Sequence, residues 1–200
     1  TGLAFDSAGN LLVVSDDAAG YSVQKFPFDG SGSIFATTGL SAPHGIAIDK
    51  DGNVFVANAR NATIQKFTPD GFGTVFADAA DGVAHPVDLL FDPAGNLFLT
   101  NANGGPTRTG SVQKFTPDGT GTVFADSVFN TAYGLAIDSA GNVYVSNFRG
   151  DNILKFSPDG TNLGTFASTP LNGPHGMVFD SSGNLYVANN VPSTIEKFSS

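Results

Sequence analysis

A single motif recurs through the chain and constrains its architecture more than any other feature. GIAIDKDGNVFVAN, starting at Gly45, returns as GLAFDSAGNLLVVSD from Gly2 and as DLLFDPAGNLFLTN from Asp88. It appears again as GLAIDSAGNVYVSN from Gly134 and GMVFDSSGNLYVAN from Gly176. The starts lie 43, 43, 46 and 42 residues apart. Self-similarity at this period marks a repeat architecture, in which neighbouring units bury the apolar faces that no unit can bury alone. The repeats run end to end without a linker, as units 1–44, 45–87, 88–133, 134–175 and an incomplete 176–200. The expected organisation is therefore one domain of about four and three quarter units.

Within the second unit, Gly45 to Asp49 is a short apolar run closed by Asp49-Lys50-Asp51-Gly52-Asn53, whose Asp and Gly supply hairpin chemistry. Residues 53–58 (NVFVAN), 63–67 (TIQKF) and 74–77 (TVFA) read as three more strands, with Thr68-Pro69-Asp70-Gly71 as a further turn. Runs such as Leu11-Leu12-Val13-Val14 lack strict alternation, which indicates burial on both faces of the sheet. No segment keeps a helical period. The predicted fold class is all-β: a β-propeller of four-stranded antiparallel blades around a central channel.

The pattern P-x-G-hydrophobic-A-hydrophobic-D-x-x-G-N, followed by I-Q-K-F and P-D-G, resembles the NHL repeat. It is also similar to the six-bladed propellers of the gluconolactonase and senescence-marker-protein family and of the streptogramin and peptidyl-hydroxyglycine lyases. The resemblance covers the whole chain and implies a ring of six blades. The sequence opens at Thr1 inside a repeat and ends after a third strand. The expectation is a piece of a longer protein whose remaining blade lies outside these residues, with a five-bladed ring as the alternative.

Strand alternation sorts the turns onto two rims. The D-x-x-G-N and P-D-G turns share one, and their recurring Asp residues read as turn chemistry. Asp49-Lys50-Asp51-Gly52-Asn53 looks like the start of a calcium loop, but the later ligand positions are not met. The other rim is where the repeats differ, and a site grafted on a fold is sought where units differ. The residue before each inner-strand Gly should face the channel mouth: Thr1, His44, Val87, Tyr133 and His175. His44 and His175 both stand in Pro-His-Gly.

In the lyases that the chain resembles, a His in this context is a zinc ligand; in the gluconolactonase-like proteins, acidic and Asn side chains there hold a divalent cation. The resemblance thus implies zinc or calcium as the candidate cofactor and His44 and His175 as candidate ligands. His85, two residues before Val87, and Asp88, which replaces the usual Gly, are candidate additions. The pattern departs from the family, because His44 and His175 stand three blades apart where the lyases space ligands about two apart. A His that only hydrogen-bonds to its neighbours is the competing reading.

The ends of the second strands add Asn58, Asn147 and Asn189, and beside them Arg60 and Arg149, to a candidate ligand-binding rim that also includes Tyr133. A guanidinium there would suit a carboxylate or phosphate, whereas Asn at a strand end commonly makes a local turn. The third unit carries an insertion, 102–110, that reads as a lid or an extended loop. Lys25, Lys66, Lys114, Lys155 and Lys197 recur in every third strand and read as scaffold.

Nine Lys and Arg against 18 Asp and Glu, a net charge of −9, argue against nucleic-acid partners. No apolar run is long enough for a membrane span. The absence of Cys excludes disulfides and thiolate metal sites. Few Lys with abundant Asn, Ser, Thr and Gly reads as extracytoplasmic or secreted. The functional expectation is a non-enzymatic propeller scaffold binding a protein, glycan or small ligand at the channel mouth. A metal-dependent lyase or lactone hydrolase is the alternative.

Overall fold

The computed structural model describes residues 2–17, 20–102 and 110–199. Five sheets follow one another in chain order, and every strand pair is antiparallel between sequence neighbours. Blade 1 comprises β1 (Leu3–Phe5), β2 (Leu11–Asp17), β3 (Gly20–Phe26) and β4 (Ser33–Ala36). Blade 2 comprises β5 (Pro43–Ile48), β6 (Val54–Asn58), β7 (Thr63–Phe67) and β8 (Gly73–Ala77). In blade 3 these are β9 (Pro86–Phe91), β10 (Leu97–Asn101), β11 (Ser111–Phe115) and β12 (Gly121–Asp126). In blade 4 they are β13 (Ala132–Ile137), β14 (Val143–Asn147), β15 (Asn152–Phe156) and β16 (Asn162–Ala167). Blade 5 has three described strands, β17 (Pro174–Phe179), β18 (Leu185–Asn189) and β19 (Ile195–Phe198). The only helical pieces among the described residues are two short 3-10 turns, Ala79–Asp81 and Phe148–Gly150.

The hairpin between the first two strands of each blade is built by one side-chain pair. The Asp carboxylate accepts the backbone N–H of the Asn four residues later at 2.8–2.9 Å, in Asp6–Asn10, Asp49–Asn53, Asp92–Asn96, Asp138–Asn142 and Asp180–Asn184. The Asn amide donates back to the other carboxylate oxygen at 2.7–2.8 Å. The intervening glycines sit at φ of 80–85°, a region that L side chains avoid. These carboxylates are thus engaged by their own turns, and the Asn184 amide holds Asp180 below the usual carboxylate range.

There is no single central core. Apolar side chains form four clusters, each sandwiched between consecutive blades. One joins Leu12, Val14 and Val23 of blade 1 to Ile46, Val54, Val56 and Phe67 of blade 2. The equivalent cluster between blades 2 and 3 holds Phe55, Ile64, Leu97, Leu99 and Phe115. Edge-to-face ring pairs brace these layers, such as Phe55 against Phe76 and Phe91, both at 5.1 Å. Lys66, Lys114, Lys155 and Lys197 lie over second-strand rings, with Lys66 Nζ 5.3 Å from the Phe55 centroid and Lys155 Nζ 5.0 Å from that of Tyr144. Lys25 also pairs with the hairpin Asp6 at 2.9 Å.

The series of sandwiches stops at blades 1 and 5. Leu3 is 65% exposed and Val178 63%, whereas residues at the same repeat positions, Ile46, Leu89 and Leu135 for the first and Ala47 and Ala136 for the second, are below 8%. Ile195 is 73% exposed where Val23, Ile64, Val112 and Ile153 are at 0%. The inner glycines agree. A Cβ on Gly2, Gly45 or Gly134 would lie 2.2–2.6 Å from a carbonyl of the next blade, while one on Gly176 would meet nothing within 4 Å. The outward face of blade 5 and the opposing face of blade 1 are therefore uncovered in this structure.

Candidate functional site

Blades 2 to 5 deliver their inner strands to the channel through the same device. The residue two places before the mouth position takes a left-handed conformation: Ala42 (φ 46°), His85 (φ 54°), Thr131 (φ 75°) and Gly173 (φ 61°). Its carbonyl accepts an N–H from just past the second strand: Ala59 and Ala102 at 3.1 Å, Phe148 at 2.9 Å and Asn190 at 3.1 Å. The Asn ending that strand anchors the incoming loop as well. Asn58 Oδ1 accepts Ser41 N–H at 3.0 Å, Asn101 that of Ala84 at 2.9 Å, Asn147 that of Asn130 at 2.5 Å and Asn189 that of Asn172 at 3.1 Å. The strand pairing slips between Pro43 and Ile46, Ala132 and Leu135, and Pro174 and Met177. Such a bulge re-aims the residues within it, here His44, Tyr133 and His175.

These residues converge on a cavity of about 570 Å³ at the channel, lined by His44, Val87, Asp88, Tyr133, His175 and Met177 among others. A larger hollow of about 670 Å³ opens on the opposite rim. It is walled by hairpin and strand residues such as Asp138, Tyr144 and Lys155 that have counterparts in every blade, and it reflects the gap between blades.

Asp88 occupies the position held elsewhere by the inner glycine. One carboxylate oxygen accepts its neighbour's Leu89 N–H and the other accepts Leu135 N–H from blade 4, both at 2.9 Å. Burial nevertheless pushes its carboxyl up to about 6, because desolvation outweighs the two N–H donors. Hydroxyls tie the same region together. Thr100 Oγ1 accepts Asp88 N–H at 3.0 Å and donates to the Tyr133 carbonyl at 2.5 Å. Ser146 Oγ repeats this one blade on, between Gly134 N–H and the His175 carbonyl, both at 2.7 Å.

Three rings meet around His175. Tyr133 and His175 have centroids 4.4 Å apart, and Phe148 packs 4.9 Å from His175 and 5.7 Å from Tyr133. Burial lowers the pKa of both His44 and His175, favouring the neutral imidazole. Burial, with the nearby Asp88 carboxylate, raises that of the Tyr133 phenol.

A model of the NHL repeat matches residues 40–67, the span that contains Pro43-His44-Gly45 and strands β5 to β7. The chain carries an NHL repeat and folds as a β-propeller. Solved structures of similar fold include a chain of the nidogen/laminin complex, 21% identical with a TM-score of 0.86 over 99% of this chain and 74% of that one. Virginiamycin B lyase from Staphylococcus aureus is 15% identical with a TM-score of 0.79, over 99% and 69%. A gluconolactonase from Xanthomonas campestris is 23% identical with a TM-score of 0.80, over 99% and 71%. No curated protein matches the sequence.

In this propeller, His44, Asp88, Tyr133 and His175 of the expected site residues share the channel cavity. His85 does not line it. Strand β9 begins at Pro86, and His85 is exposed at the left-handed turn position, outside the strand alternation, yet close enough for its charge to act on His44. Asn58, Asn147 and Asn189 are buried with their amides bound into the interblade loops; Asn58 Nδ2, for instance, donates to the Gly39 carbonyl at 2.8 Å. Arg60 and Arg149 are exposed and do not line the cavity. Among the described residues no three His, Asp or Glu side chains come together to hold a metal ion. Thr1 and insertion residues 103–109 lie outside the described residues. Sequence reasoning missed Phe148, Thr100 and Ser146. Phe148 carries a legible signal: it follows the strand-ending Asn where the other units place Ala59, Ala102 and Asn190.

Proposed function

We propose that this protein is a non-enzymatic propeller scaffold that binds a protein, glycan or small ligand at its channel mouth, in an extracytoplasmic setting. One observation carries this reading: the positions at which the repeats depart from one another, His44, Asp88, Tyr133 and His175, converge on one cavity while the rest of each unit serves packing. We also infer that the ring has room for a sixth blade between blades 5 and 1, on the strength of the two uncovered faces and of Gly176. Titrating oligosaccharides, peptides and small molecules while following backbone amide NMR shifts tests the binding reading. Shifts should cluster at Gly45, Asp88, Gly134 and Gly176 and vanish in a His44→Ala/His175→Ala variant. Shifts confined to the D-x-x-G-N rim would overturn it.

A metal-dependent lyase or lactone hydrolase is the second reading, favoured by two imidazoles on one cavity and by the two enzymes among the similar folds. Among the described residues the donors fall short of the three-ligand set that a catalytic zinc uses. Elemental analysis of the dialysed protein beside the His44→Ala/His175→Ala variant separates the readings. One equivalent of zinc or calcium that disappears in the variant moves the assignment to the metal site.

A further inference from the structure

Resting on the channel-mouth reading, we propose that the ligand class taken there is a small organic cation, an alkylammonium group held against the Tyr133 and His175 ring cluster with the Asp88 carboxylate as its counter-charge. Three features of the cavity point to a cation. First, its charge is one-sided. Asp88 lines the cavity, and no Lys or Arg does so among the described residues. The ion pairs found among the described residues involve Asp6, Asp51 and Asp138, all on the other rim. Asp88 has two backbone N–H partners, whereas a carboxylate offers about four acceptor sites, so capacity remains on the cavity side.

Second, the rings are fixed. Phe148 packs edge-on against His175 at 82°, and His175 lies 4.4 Å from Tyr133 at a tilt of 47°. A cation within about 6 Å of a ring face is drawn by the ring quadrupole, more strongly when it is desolvated. Third, the remaining wall is apolar. Val87 and Met177 stand beside the polar groups, which suits alkyl substituents on a nitrogen better than a hydrated inorganic ion. The cavity of about 570 Å³ has the size of a small-molecule site.

The test is calorimetric titration with tetramethylammonium chloride against sodium chloride at matched ionic strength, with glucose as the neutral probe. Saturable tetramethylammonium binding is expected, weakened about tenfold or more in Asp88→Asn and in Tyr133→Leu but retained in Tyr133→Phe, which keeps the ring face. Lys50→Ala on the opposite rim should bind as the parent does. Circular dichroism and a thermal melt establish that each variant is folded. Absence of saturable tetramethylammonium binding, or binding that survives both Asp88→Asn and Tyr133→Leu in folded protein, overturns the proposal. Saturation by glucose alone, lost in the His44→Ala/His175→Ala variant, overturns the cation assignment while leaving the channel mouth as a binding site.

Discussion

The carboxylate of Asp88 on blade 3 accepts the backbone N–H of Leu135 on blade 4 at 2.9 Å, across an interface that a glycine seals by close approach elsewhere in the ring. A charged side chain thus replaces a backbone contact between blades, and its ionisation is coupled to folding.

The sign of that coupling follows from the direction of the shift. The folded carboxyl is raised from 3.8 to about 6, so the folded state binds the proton more tightly than the unfolded chain does. The stabilisation is full below pH 4 and is lost as pH rises through 6. Relative to Asp88→Asn, the parent should lose up to about 3 kcal/mol of unfolding free energy between pH 4 and 7. Urea denaturation at stepped pH measures it; a difference between parent and variant that stays flat across this window would refute the coupling.

Gly134 and Gly176 occupy the same repeat position in opposite surroundings. A Cβ on Gly134 would stand 2.2 Å from the His175 carbonyl oxygen, so Gly134→Ala should cost about 1–3 kcal/mol or more through backbone displacement. Gly176→Ala meets open space and should be neutral or slightly stabilising, by about 0.4–1 kcal/mol through the unfolded chain. Equal destabilisation of the two, by chemical denaturation, would mean that the face of blade 5 is covered in solution.

Two phenylalanines extend the comparison to side chains. Phe115 is at 0% exposure between blades 2 and 3, and Phe115→Ala should cost about 3–5 kcal/mol. Phe5 is 67% exposed on the uncovered face of blade 1, and Phe5→Ala should change stability by about 0.5 kcal/mol or less. Denaturation midpoints at constant m-value read the contrast directly.

Thr100 offers a prediction that joins stability to the site. Thr100→Val keeps the shape but leaves Asp88 N–H and the Tyr133 carbonyl without the bridging hydroxyl, at a cost of about 1–3 kcal/mol for each group stranded away from water. The Tyr133 and Asp88 amide resonances should show the largest NMR perturbations. Unchanged shifts at both would mean that the bridge does not position them.

The blades were legible in the sequence because their determinants are local. The Asp and Asn of each hairpin bind one another within five residues, and the strand read at residues 63–67 is β7. Three of the mouth positions, His44, Tyr133 and His175, were legible through the repeat, since each precedes an inner glycine. What escaped depends on contacts between blades. The Thr100 hydroxyl meets a carbonyl 33 residues away, and Phe148 reaches His175 only once two blades are side by side. His85 is placed by a different device from the strand. A left-handed turn precedes the strand, and alternation cannot be extended through it.

The turn that delivers each inner strand is held by backbone carbonyls and by Asn58, Asn101, Asn147 and Asn189, none of which requires a particular side chain at the mouth. The occupants of positions 44, 87, 133 and 175 are thereby freed from the job of holding the ring together. Imidazole, isopropyl and phenol already stand at equivalent stations of one wheel. The recognition chemistry of such a protein can be rewritten one spoke at a time, with the frame left untouched.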